Sequence, residues 1–211
     1  MKQLLFMLVL WVNLSAYAEV IQVEYKRFYS HTRQLKGTDT DQLQFAFGFK
    51  QVNQSELCAL NSVHIHTDKK QIAINLIHGD TRFILPSERA LKLADALIVV
   101  DIEGAANQCD MSVQLETQSH WLKAQYTQAE LTQVLNQYRA FFDNMGSFLS
   151  FLMPQVQGLI LVMDEQTVMP EHGLHQLDDA HQLFISAEQI QQATSLILPQ
   201  APLRIVAWLE E

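Results

Sequence analysis

Leu43-Gln44-Phe45-Ala46-Phe47-Gly48-Phe49 alternates strictly, with Leu43, Phe45, Phe47 and Phe49 on one face. Period two over seven residues is the mark of a strand with one face buried. The neighbouring sequence repeats that signal. Val20-Ile21-Gln22-Val23-Glu24-Tyr25 alternates in part, and Val63-His64-Ile65-His66-Thr67, Ile72-Ala73-Ile74-Asn75-Leu76 and Met111-Ser112-Val113-Gln114-Leu115 follow the same rule. Phe83-Ile84-Leu85 is short and stops at Pro86, whereas Leu97-Ile98-Val99-Val100 is apolar throughout and reads as a central strand. Turn-forming residues lie between the runs, as at Lys36-Gly37-Thr38-Asp39 and His78-Gly79-Asp80. Short antiparallel strands of this kind predict a β-sandwich or open barrel over residues 19–118. A helical turn or two, capped by Ser87, is expected over 87–94.

The composition changes near Ser119. Thr127-Gln128-Ala129-Glu130 is a capping box, with Leu131, Val134, Leu135, Tyr138, Phe142 and Met145 behind it at helical spacing. This predicts a helix over about 128–145, ending near Gly146. The apolar run 148–153, stopped by Pro154, reads as a second helical piece. Strands follow at 159–163, 183–185 and 203–208. Ser186 and Gln189 open a helix over 187–197, with Ile190, Ala193 and Ile197 as its buried stripe. The fold class is therefore α+β: an antiparallel β-sandwich-like N-terminal part, then a mixed helix/strand part over 119–211.

The first residues carry a different message. Lys2, the apolar run from Leu4 to Leu14 and Ala16-Tyr17-Ala18 have the three parts of a secretory signal peptide, cleaved after Ala18. The apolar run is far shorter than the roughly 20 residues that span a bilayer. The mature chain then begins at Glu19, and no later stretch is apolar enough for stable membrane insertion. Acidic residues outnumber basic ones, 23 to 14, and no run of Lys or Arg exists. Phosphate-rich partners need clustered positive charge, so no nucleic acid partner is expected.

Cys58 and Cys109 are the only cysteines. In an exported chain they predict one disulfide, which closes a loop of about 50 residues and contributes at most about 4 kcal/mol. Two buried thiols, or a redox pair, are the alternatives; the C-x-x-C spacing that favours the latter is missing.

Signatures of chemistry are sparse. The sequence has no G-x-S-x-G elbow, no phosphate-binding glycine loop and no dinucleotide fingerprint, and no cofactor is implied. His64 and His66 share one strand face about 7 Å apart, a spacing that suits a metal ion. A solvated strand face would look the same, since Val63 and Ile65 occupy the other side. His172, His175 and His181, with Asp178 and Asp179 between them, form a second polar group whose ligand types suit zinc or copper. Trp121, Trp208 and the Phe-rich run 141–151 read as core in preference to a ligand groove.

The order of short motifs resembles a known family. Cys58 opens a strand; Leu85-Pro86, Cys109-Asp110-Met111-Ser112, Met153-Pro154 with Gly158-Leu159, and Leu198-Pro199 with Pro202-Leu203-Arg204 follow. In that order they are similar to a family of exported proteins of unknown function from marine gamma-proteobacteria. The resemblance implies a periplasmic address and a paired disulfide; it brings no activity and no catalytic residue. The functional expectation is a soluble, non-catalytic periplasmic module that binds an envelope protein or a small ligand. The alternative is a periplasmic hydrolase or metal-binding protein using His172, His175 and His181, or His64 and His66.

Overall fold

The computed structural model describes residues 19–54, 56–146, 154–168 and 177–210. The segment read as a leader at 1–18, the apolar run 148–153, and His172 and His175 lie outside the described residues. Strand β1 (Glu19–Glu24) leads into helix α1 (Tyr25–Thr32). Then come β2 (Leu43–Gln51), β3 (Leu60–His66), β4 (Gln71–Ile74), β5 (Leu76–Ile77), β6 (Arg82–Ile84), α2 (Arg89–Leu93), β7 (Leu97–Ile102) and β8 (Cys109–Thr117). The remainder is β9 (Gln125–Thr127), α3 (Gln128–Gly146), β10 (Val156–Val162), β11 (Gln182–Ser186), α4 (Ala187–Gln192), β12 (Ser195–Ile197) and β13 (Arg204–Leu209). The fold is α+β, and its strand pairs are antiparallel.

Two four-stranded sheets form the N-terminal part, ordered β1-β7-β3-β4 and β5-β6-β2-β8. The apolar strand β7 is internal to its sheet. The run 72–76 is not one strand: the chain leaves the first sheet after Ile74 and enters the second at Leu76. Phe45, Phe47 and Phe49 are buried on one face of β2, where Phe28 of α1 meets Phe47 edge-on at 5.0 Å. Cys58 and Cys109 are joined in a disulfide. The bond ties the chain just before β3, in the first sheet, to the first residue of β8, in the second.

Residues on both sides of Ser119 share one hydrophobic core. Phe141 of α3 lies edge-on to Phe45 at 5.7 Å. Gln137 of the same helix accepts a hydrogen bond from the Gln42 backbone at 2.6 Å. The buried Tyr138 hydroxyl donates to the Ile205 carbonyl of β13 and meets the Thr117 hydroxyl of β8. A third sheet, β11-β10-β13, and the short pair β12-β9 complete the molecule, and β13 runs against β8.

Four local expectations need correction. Tyr25 begins α1 and does not extend β1, because Tyr25, Phe28, Tyr29 and Thr32 are buried at helical spacing. Ser87 is not a cap: Glu88 occupies the position, with no side-chain capping bond. In α3 the buried stripe ends on Phe141, while Met145, although on the same helical face, is exposed in the last turn of the helix. The helix opened by Ser186 stops at Gln192; Ser195–Ile197 is strand β12 against β9, which leaves Ile197 exposed.

Candidate functional site

The face of β2 away from its phenylalanines is polar and partly buried. Cross-strand register sets its occupants side by side: Gln44 opposite Glu116, Ala46 opposite Gln114 and Ile84, and Gly48 opposite Arg82. Glycine at 48 is required by space, because a Cβ there would sit 2.7 Å from the Thr81 carbonyl oxygen and 3.4 Å from Arg82 Cγ. The turn from β5 to β6 passes through three successive left-handed residues, His78, Gly79 and Asp80. Histidine and aspartate there carry backbone strain of about 1–3 kcal/mol each. That turn delivers the His78 ring to within 3.5 Å of the Glu116 carboxylate. From the other direction, β13 brings Arg204.

The result is a cluster of charge inside the fold. Glu116 is 2 % exposed and Arg82 is 8 % exposed. Gln44 Nε2 donates to Glu116 Oε1 at 3.1 Å, but Glu116 Oε2, Arg82 Nε, Arg204 Nε and Gln114 Oε1 are buried without a hydrogen-bond partner among the described residues. Burial, and then repulsion from Arg204, pull Arg82 down to about 10, with Glu116 acting against both. Arg204 is likewise lowered by burial and supported by Glu116. Both guanidiniums remain charged at neutral pH and feel the Glu116 carboxylate, although among the described residues neither comes within ion-pairing distance of it. Such a cluster is suited to holding an anionic or strongly polar group, since guanidinium forks match oxyanions.

Of the histidines singled out in the sequence, His64, His66 and His181 lie among the described residues, and no metal-ligating group forms around them. His66 is exposed and His64 half-buried on the solvent face of β3, while Val63 and Ile65 point into the core. His181 sits in a turn at positive φ, with its backbone N–H bonded to Asp178. Among the described residues no three His, Cys, Asp or Glu side chains form a metal-ligating group. Cys58 and Cys109 line an open cleft of about 750 Å³ with Gln51, Gln54, Asn107 and Gln108, whose amides offer both donors and acceptors. Trp121 is half-exposed, and Trp208 packs edge-on against Phe184 at 5.4 Å on the outer face of the third sheet. Sequence reading missed Arg82, Glu116 and Arg204. In sequence each is an ordinary polar residue of an alternating strand, and only long-range pairing turns that face inward.

No curated protein and no solved structure matches the chain. A family model does, over residues 17–163, which takes in both cysteines, His78, Arg82 and Glu116 and stops before Arg204. The match covers well over half of the sequence, and the chain belongs to the family described as Protein of unknown function (DUF2987).

Proposed function

We propose that this protein is an exported binding module of the cell envelope, and that the charged cluster around Glu116 is where it takes its ligand. Export is supported by the leader read at residues 1–18 and by the Cys58–Cys109 bond, since structural disulfides belong to oxidising compartments. The observation that carries the binding role is the buried cluster itself. A sandwich needs apolar residues between its layers, and buried ion pairs are poor sources of stability. Charges kept there with unmet hydrogen bonds, beside a strained turn, are what a recognition site requires. The groups are guanidiniums, carboxamides, one carboxylate and the His78 imidazole, and the two guanidiniums favour holding an anionic ligand.

Native mass spectrometry of protein released by osmotic shock tests this. The expected species begins at Glu19, lacks two hydrogens because of the disulfide, and carries a small non-covalent ligand that Arg204→Gln loses. Full-length protein with two free thiols, found only in the cytoplasmic fraction, would overturn the export reading. A ligand retained unchanged by Arg204→Gln would overturn the placement of the site.

A further inference from the structure

We infer that Arg82 and Arg204 together hold a compact oxyanion with one negative charge, of which a small carboxylate is the simplest example. This rests on the binding-module reading and names its ligand class. Three observations support it. First, the charge does not balance: Arg82 is buried and Arg204 half-buried around a single buried carboxylate, Glu116, and His78 adds no negative charge. An uncompensated positive charge in a low-dielectric layer is costly, and one more negative charge neutralises it.

Second, the donors are unspent. Arg82 Nε and Arg204 Nε have no partner among the described residues, while Glu116 is drawn toward Gln44 and His78. Arginine presents its donors as a planar fork that meets an oxyanion in two parallel bonds, so unpaired guanidiniums select for such a partner. Third, the two arginines are held by separate elements. Arg82 comes from β6, across the side-chain-free Gly48, and Arg204 from β13, beyond β8. A ligand bridging them would fasten the third sheet to the second. It would therefore stabilise the folded molecule as a whole, because anything that binds only the folded state adds to its stability.

The background favours a clean measurement. The whole chain has a net charge of −9, so non-specific anion uptake is suppressed. Saturable anion binding would thus report a built site.

The test is thermal unfolding of the disulfide-bonded mature protein in sodium acetate, inorganic phosphate or sodium chloride at equal ionic strength. Acetate is expected to raise the midpoint saturably and chloride not to; inorganic phosphate near pH 6, where its monoanion dominates, is expected to act as acetate does. Arg204→Gln should weaken the apparent acetate affinity at least about tenfold, as expected for loss of a charge-assisted pair. Glu116→Gln, which removes the competing negative charge, should strengthen it, an effect that a purely structural role for Glu116 would not produce. Equal shifts in chloride and acetate would overturn the proposal, as would an acetate response that Arg204→Gln leaves intact. Should acetate fail while a different ligand is retained by the shocked protein, the oxyanion falls and the binding module stands.

Discussion

Glu130 illustrates what a single residue contributes. Its carboxylate accepts from the Lys123 ammonium and from the backbone and hydroxyl of Thr127, and the Thr127 hydroxyl in turn accepts from the Glu130 backbone. These partners, Lys123 foremost, hold its carboxyl down at about 2. Depression means that the stabilising contribution is fully present above the ordinary carboxylate range and is lost as pH falls toward 2. Glu130→Gln should therefore unfold at lower denaturant concentration at pH 7 and show a shallower loss of stability between about pH 4.5 and 2, followed by urea titration across that range. The capping box was legible because its members lie three residues apart. The Gln44–Glu116 bond was not, because its partners are separated by most of the N-terminal part.

Elements were legible to the extent that local signals had no rival. The alternation of β2 survives intact, and so does the stripe of α3 up to Tyr138, since burial on one face decided both. Helix α1 was also visible in principle: Tyr25, Phe28, Tyr29 and Thr32 stand at i, i+3, i+4 and i+7. The alternation running through Ile21 and Val23 masked it by claiming Tyr25 for the strand. At the other end of the chain, Ser186 started a helix correctly, yet pairing with β9 ended it. The two serines read as caps now separate cleanly. Ser186 accepts from the Gln189 backbone, and Gln189 returns the bond, whereas Ser87 caps nothing. Ser186→Ala should cost about 1 kcal/mol, and Ser87→Ala should stay within about 0.5 kcal/mol of the parent, both measured by chemical denaturation.

At the scale of the whole molecule, the four sheets and four α-helices among the described residues meet around one apolar core, and one face of the second sheet departs from that pattern. Periodicity assigned Gln44 and Gln114 to a polar face, which Glu116 extends in register, but a polar face is ordinarily solvated. Here β13 runs against β8, and Glu116 and Arg82 end up inside with Arg204 half-buried. No residue pattern within a strand announces that a later strand will cover it. The disulfide, by contrast, followed from two cysteines read in a chain with an export leader. Closing a loop with a sequence separation of 51, it ties the two N-terminal sheets at one end. The charged layer is the part of the molecule that folding explains least.

The most direct measurement replaces that layer by apolar residues of similar size. The variant carrying Arg82→Met, Glu116→Leu and Arg204→Met removes all three charges together, leaving none buried without its counterpart. If the cluster is kept for a ligand, the triple variant should match the parent in urea unfolding or exceed it by about 1–4 kcal/mol, while its response to acetate disappears. A triple variant destabilised by several kcal/mol, or one still protected by acetate, would contradict the account.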